Sequence, residues 1–159
     1  MYRSGRKSQQ QSLATIATYQ AGITQSSAQR LLRRFIEDCV SEYGITTTQW
    51  FMIGLIYDSG PSGMGVSEIS KRLGTNIPYV TNTLNVLETK GVVSRRRRSE
   101  DNRAKVVTIA PSFVPVIPTI EDDLRRKMRD ELYPTITPGE LHAYVTVLYK
   151  LATSLKRYD

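Results

Sequence analysis

Two short helical patterns joined by a tight turn, with a basic hairpin directly after them, constrain this chain more than any other feature. In the first pattern, Val66, Ile69 and Leu73 recur on one helical face. Gly74 is a natural stop for this helix, because glycine accepts a positive φ just beyond a C-cap. Asn76 is a candidate N-cap for the next helix, which therefore starts almost immediately. Since so few residues join the two helices, they must cross steeply. The pattern predicts a helix-turn-helix.

The second helix of this motif has an apolar face and a polar face. Val80, Leu84 and Leu87 fall on the inner face of a helical projection. The outward residues are Pro78, Tyr79, Asn82, Asn85, Val86 and Thr89. On a helix taken alone, an outward polar face is normally only solvated. Between a tight turn and a basic hairpin we expect it to enter the major groove of DNA, where Asn82 and Asn85 would each pair with adenine.

The segment after the second helix has the pattern of a β-hairpin with a basic loop. Val92–Val93 and residues 106–109 are β-branched strand patterns, and residues 95–103 form a polar loop between them. Side chains alternate along a strand, so about half of these cations should face DNA. The favoured contacts are Arg96, Arg98 and Arg103, ahead of Arg95 and Arg97. The alternative is that the arginine run only keeps the protein soluble.

An amphipathic helix and a buried helix are predicted before the motif. The amphipathic helix spans residues 27–43, and its apolar stripe is Leu31, Leu32, Phe35, Ile36, Cys39, Val40 and Tyr43. Thr46 and Gln49 form a capping box for the next helix, which is apolar nearly all round and should be buried. Before these helices, residues 1–11 are polar with Arg3, Arg6 and Lys7, and we expect a mobile basic arm there.

Two further helices are predicted after the hairpin. Three prolines at positions 111, 115 and 118 precede a helix whose apolar positions are Ile120, Leu124, Met128 and Leu132. Thr137 and Glu140 form a second capping box. The stripe of the last helix is Leu141, Val145, Leu148, Leu151 and Leu155. The helices at both ends of the chain have more apolar surface than a small winged unit can cover, so we expect a two-fold homodimer.

The composition agrees with a polyanionic partner and offers little for catalysis. Lysine and arginine number 22 against 15 aspartates and glutamates, for a net charge of +7. Cys39 and His142 are single residues of their types, so they cannot build a zinc site of the usual kind. Cys39 lies on an apolar stripe, which favours an inert thiol over a redox sensor. We therefore expect no enzyme, no metal and no cofactor. No apolar run approaches a membrane span or a signal peptide, and we expect a cytoplasmic protein.

These features together resemble the MarR family of winged-helix transcriptional regulators over nearly the whole chain. The segments that carry the resemblance are Gly44–Trp50, Met64–Leu87, Leu87–Val93, and Arg95 with Asp101–Arg103. The resemblance implies a homodimer with paired recognition helices in the major groove and wings in the flanking minor groove. It also implies that Asp101 orients Arg103 through a bidentate pair, although an ordinary turn aspartate is an equal alternative. Asn102 departs from the usual wing sequence, and the three prolines depart from the smooth helix of the family.

We therefore predict a mostly α fold with a small β-hairpin, in which a winged helix-turn-helix at residues 46–110 is flanked by dimerisation helices at residues 12–45 and 111–159. These parts form one MarR-like domain, residues 12–159. The function expected is that of a transcriptional regulator, of the repressor type, on a pseudo-palindromic operator in double-stranded DNA. The resemblance adds a small aromatic effector in a crevice near Tyr43, Trp50 and Tyr57. The alternative is a winged module for protein contacts or nonspecific nucleic-acid architecture, without ligand sensing.

Overall fold

The fold is mostly helical with one antiparallel hairpin, as predicted, in a computed structural model that describes residues 17–97 and 105–154. The elements are α1 (Thr18–Ser41), α2 (Thr47–Asp58), a 3-10 turn (Gly60–Ser62), α3 (Val66–Leu73), α4 (Ile77–Thr89), β1 (Val93–Arg97), β2 (Lys105–Ile109), α5 (Val116–Lys127), a π-helical turn (Met128–Leu132) and α6 (Pro138–Ser154). The predicted basic arm, Leu155, and the predicted DNA contacts Arg98, Asp101 and Arg103 lie outside the described residues. The chain divides into two compact units, Met1–Val116 and Ile117–Asp159.

The helix-turn-helix is built by the local signals found in the sequence. Gly74 ends α3 in the left-handed conformation, with φ of 61°, which relieves the steric cost that a Cβ would meet there. The Asn76 side chain then caps α4 by accepting a hydrogen bond from the Tyr79 backbone N–H at 2.9 Å. Ser70 donates its hydroxyl to the Thr75 carbonyl oxygen and closes the turn from the α3 side. These bonds confirm the predicted stop and start positions.

The hairpin is longer than the sequence predicted. Arg95, Arg96 and Arg97 pair with Val107, Val106 and Lys105, so they belong to β1 and not to the loop. The predicted loop of residues 95–103 was therefore wrong at its start. Composition favoured a loop because the run is polar, whereas pairing with a strongly β-forming partner strand extends β1.

A close backbone approach joins the hairpin to the segment before α3. Met64 and Val107 exchange both backbone hydrogen bonds at 2.9 Å, which adds a one-residue bridge on the other edge of β2. Gly63, with φ of 67°, permits this approach, because a Cβ there would lie 2.6 Å from the Val107 carbonyl oxygen. The winged region is therefore closed by a contact that only glycine allows.

The first unit has a continuous apolar core. The C-terminal end of α1 contributes Cys39 and Val40, and α2 contributes Met52, Ile53 and Ile56. The residues buried from the rest of this unit are Ile45, Met64, Ile69, Val80, Leu84, Leu87, Val92, Val93, Val106 and Val107. The predictions of an apolar inner face on α4 and of a buried Cys39 are confirmed. The prediction of a buried α2 was wrong for one side of the helix, since Phe51 and Tyr57 are each 40% exposed.

Polar groups organise the junction between α1 and α2. The predicted capping box is present, since Thr46 accepts from the Gln49 backbone N–H and Gln49 accepts from that of Thr46. Glu37 of α1 adds a second cap, because one of its carboxylate oxygens accepts from both the backbone N–H and the hydroxyl of Thr47, each at 2.6 Å. These hydrogen bonds from Thr47 hold the pKa of Glu37 below its usual value.

Helix α1 begins earlier than predicted. The sequence favoured a start near residue 27, because Gly22 weakens a helix, yet α1 runs through Gly22 from Thr18. A single glycine costs only about 1 kcal/mol in a helix, so good neighbours can outweigh it. Towards this N-terminal end the apolar side chains of Tyr19, Ile23 and Leu31 are exposed.

The second unit contains α5 and α6. Helix α5 places Ile117, Ile120 and Leu124 in buried positions and joins Arg125 to Glu121 by an ion pair at 2.7 Å. Helix α6 opens with the predicted capping box, in which Glu140 accepts from the Thr137 backbone N–H at 2.9 Å and donates its own N–H back to the Thr137 hydroxyl oxygen. The described residues of α6 include none that is buried.

Candidate nucleic-acid interface

The exposed face of α4 has the residues predicted from the helical projection. The residues of this outward set, all exposed, are Pro78, Tyr79, Asn82, Asn85, Val86 and Thr89. Tyr79 and Val86 are each 45% exposed. The face therefore combines amide groups that can form hydrogen bonds with apolar groups that can contact a thymine methyl group.

The side chains of Arg95 and Arg96, neighbours on β1, point in different directions. Arg95 is half-buried and turns back to α4, whereas Arg96 is exposed and donates a hydrogen bond to the Pro61 carbonyl oxygen. The alternation of side chains along a strand produces this difference. The same alternation predicts Arg96 ahead of Arg95 as a DNA contact.

Arg95 binds α4 at three points. Its guanidinium donates to a Glu88 carboxylate oxygen at 2.7 Å, to the Asn85 side-chain oxygen at 2.7 Å, and to the Thr81 carbonyl oxygen at 3.5 Å. Residues 81, 85 and 88 are spaced along one side of a helix, so a planar fork on a neighbouring strand can reach all three. Arg95 therefore holds one edge of the exposed face of α4.

Sequence reasoning missed two features of this interface. The ion pair of Arg95 with Glu88 joins two elements, and neither residue type nor spacing indicates which acidic residue an arginine will find. Ile77 is 49% exposed in the first turn of α4, although a helical projection places it on the same side as Val80 and Leu84. Only the structure shows that this apolar side chain is accessible beside Tyr79.

An apolar cleft lies on the first unit, near the predicted effector residues. It has a volume of about 310 Å³ and is lined by Tyr57, Gly60, Pro61, Thr108, Ile109 and Val114. Of the three residues predicted to bind an effector, Tyr57 is in this lining. Tyr43 and Trp50 are half-buried and are not among the lining residues.

The described residues have neither a cluster of metal-binding side chains nor a membrane-spanning helix. Within residues 17–97 and 105–154, no group of three or more His, Cys, Asp or Glu side chains could hold a metal ion. In the same ranges, no helix has the length and apolar character needed to cross a membrane.

The arrangement of α3, α4 and the β1–β2 hairpin defines a winged helix-turn-helix protein. A sequence model of the MarR family matches residues 45–105, which contain all of these elements up to the start of β2. The chain therefore carries a MarR-family winged-helix region, and the resemblance predicted from the sequence is confirmed.

Solved structures share the fold over most of the chain. Apo wild-type MarR from E. coli has a TM-score of 0.70 at 20% identity, covering 86% of this chain and 96% of that one. A cysteine-to-serine mutant of E. coli MarR complexed with operator DNA has a TM-score of 0.70 at 20% identity, covering 82% and 91%. The S. aureus MepR–DNA complex has a TM-score of 0.67 at 22% identity, covering 88% and 100%. The similarity thus extends beyond the winged region to the helices on either side.

Proposed function

We propose that this protein is a non-enzymatic, DNA-binding transcriptional regulator that acts in the cytoplasm on a pseudo-palindromic operator. The observation that carries the proposal is the exposed face of α4, where Tyr79 and Asn82 lie on a capped helix followed by a basic hairpin in a MarR-family region. Such a helix has the width and polarity to enter the major groove, and the adjacent cations favour the phosphate backbone. The operator complex of E. coli MarR and the DNA complex of S. aureus MepR support the same assignment.

A homodimer is the second part of the proposal. Apolar side chains remain exposed on α1, at Tyr19, Ile23 and Leu31, and on α6, at Val145 and Leu151. Exposed apolar residues concentrated on helices at both ends of a chain are typical of a surface that a second copy covers. Two-fold symmetry would present two α4 helices to two half-sites of the operator.

Release from DNA by a small aromatic effector is the third part. The apolar cleft at Tyr57 has a volume in the range of small-molecule sites, which supports a ligand of this class. Tyr43 and Trp50, which lie outside the lining of this cleft, remain in the proposed set of effector residues on the strength of the sequence. A ligand that binds the DNA-free state more tightly must weaken DNA binding by the same coupling factor.

The test is a selection of bound sequences from a random DNA pool. We expect two symmetric half-sites centred about 10 base pairs apart, one helical turn, with an adenine at the position read by Asn82. Asn82→Ala should cost about 1 to 3 kcal/mol on the selected site and little on random DNA, because asparagine pairs with adenine through two hydrogen bonds.

The wing supplies the matched control. Arg98→Ala and Arg103→Ala should weaken binding to all sequences alike, and each should lower the log–log salt slope by about one unit if it removes a phosphate contact. Equal affinity of the wild type for all sequences would contradict the proposal and favour the architectural alternative.

A further inference from the structure

The inference concerns the two asparagines on the exposed face of α4, and it rests on the proposed DNA-binding function. Asn82 and Asn85 have the same side chain, and the sequence predicts the same adenine contact for both. Their surroundings differ, because Asn85 lies against the guanidinium of Arg95. This contact determines which atoms of the Asn85 amide can still form a hydrogen bond with a base.

The contact leaves no doubt about which atom of Asn85 is engaged. A guanidinium only donates hydrogen bonds, so the Asn85 atom at 2.7 Å from Arg95 Nη2 must be the carbonyl oxygen Oδ1. A charge-assisted bond of this length is among the stronger hydrogen bonds of a protein surface. Oδ1 of Asn85 is therefore directed towards β1.

The guanidinium itself is held in place. Its other terminal nitrogen, Nη1, donates to Glu88 at 2.7 Å, and the Arg95 side chain is only 26% exposed. Two acceptors on α4 and the anchoring of Arg95 on β1 together restrict the plane of its guanidinium. Arg95 thus has the geometry to fix the orientation of the Asn85 amide.

We propose that Arg95 is a positioning residue that sets base specificity: it holds the Asn85 carbonyl oxygen towards β1, so that the Asn85 NH2 group faces the groove and reads guanine. The bidentate pair with adenine needs both the oxygen and the NH2 group of asparagine turned to the base edge. An amide that offers only its NH2 group is a donor, and guanine presents two adjacent acceptors, N7 and O6, in the major groove. Adenine N7 lies beside the N6 donor, which would face the NH2 group, and thymine offers only O4. Asn82 keeps the adenine contact proposed above.

The positioning can be measured on the full chain without DNA. We expect NMR relaxation of the side-chain NH2 groups to give an order parameter near that of rigid backbone, about 0.85, for Asn85, and a lower value for Asn82. Arg95→Lys should bring Asn85 down to the level of Asn82, because one ammonium cannot bridge Glu88 and Asn85 as a planar fork does. A wild-type Asn85 amide as mobile as that of Asn82 would overturn the proposal.

The specificity is measured by the same selection from random DNA. Asn85→Ala identifies the base pair that Asn85 reads, and we expect guanine there in the wild type. Arg95→Lys keeps the charge, and it should lower the guanine preference at that pair about tenfold while leaving the Asn82 position unchanged. Arg125→Lys is the matched control, because it makes the same change at an arginine of α5 that is ion-paired with Glu121 at 2.7 Å outside the interface. It should leave the base preferences at both positions as they are.

The base found at the Asn85 position tests the inference separately from the proposed function. Adenine at the Asn85 position of the wild type, or an unchanged preference in a folded Arg95→Lys variant, would overturn the inference and leave the proposed function intact. A folded wild type that enriches no sequence at all would overturn the proposed function and the base specificity together. Circular dichroism of each variant establishes that it is folded.

Discussion

Helices α4 and α6 both have an apolar stripe, but the two stripes differ in how far their side chains are exposed. In α4, Val80, Leu84 and Leu87 are completely buried. In α6, Val145 is 54% exposed and Leu151 is 50% exposed. Amphipathic periodicity therefore indicates that a face will be covered, but it does not distinguish coverage by the same chain from coverage by a second molecule. The winged region is complete within one chain, and the exposed stripe of α6 supports the proposed homodimer.

The largest expected effect is that of a substitution in the buried stripe of α4. Leu84→Ala should lower the free energy of unfolding by about 2 to 5 kcal/mol, because it leaves a cavity in a closely packed core. Urea denaturation at several protein concentrations measures it, and we expect the loss to be the same at each concentration.

Val145→Ala on α6 is the matched substitution. In a homodimer its effect should depend on protein concentration, since it weakens association and not the packing of one chain. Sedimentation of the wild type at micromolar concentration should give the mass of two chains. A monomer mass, or a concentration-independent loss in Val145→Ala as large as that in Leu84→Ala, would contradict the comparison.

A smaller effect tests how tightly the winged region is closed. Gly63→Ala should cost about 2 kcal/mol of stability, because the residue has a left-handed φ and its Cβ would meet the Val107 carbonyl oxygen at 2.6 Å. Gly44→Ala is the control, because Gly44 has φ of 70° but no atom near its Cβ position. Thermal unfolding of both variants separates the backbone cost from the contact. Equal losses would show that the approach of Gly63 to β2 adds nothing.

The smallest expected effect lies where the packed end of α1 meets α2. Glu37→Gln should cost about 1 kcal/mol at pH 7, as for the loss of a helix cap, since Glu37 caps α2 through Thr47. The pKa of Glu37 is lowered in the folded state, so its contribution is present above the unfolded pKa and is lost as pH falls through the folded value.

Urea denaturation of Glu37→Gln and the wild type at pH 7 and pH 3 measures this dependence. We expect the difference in stability to shrink at pH 3. In a double-mutant cycle with Thr47→Val, the two substitutions should be non-additive, because both affect the hydrogen bond between the Thr47 hydroxyl and the Glu37 carboxylate. The bond from the backbone N–H of residue 47 to Glu37 remains in Thr47→Val. Additive losses would mean that Glu37 acts through another partner.

Local signals allowed much of this fold to be predicted. The capping boxes at Thr46 and Thr137, the cap at Asn76 and the stop at Gly74 each involve residues within one turn of the chain. Because both partners of each hydrogen bond are close in sequence, the sequence alone indicates where these helices begin or end. The inward residues of α4 were likewise predictable, because helical periodicity assigns them to one face.

The wrong predictions of element bounds concern β1 and α1. The arginines of β1 were assigned to a loop, since their pairing with β2 is invisible in a polar run. The start of α1 was placed too late, because the weak cost of Gly22 was given more weight than its helical neighbours. The adenine contact predicted for both asparagines of α4 rests on residue type alone, and the selection from random DNA tests it.

Periodicity and short-range motifs were enough to predict the order of helices and strands, the exposed face of α4 and the MarR-family resemblance. The hydrogen bonds of Arg95 to Asn85 and Glu88, and the opposite direction of Arg96, became visible only in the folded chain. A hydrogen bond between two elements depends on their relative position, which the packing of a buried core establishes. Base specificity at Asn85, as we propose it, therefore depends on a strand contact that the recognition helix alone does not contain.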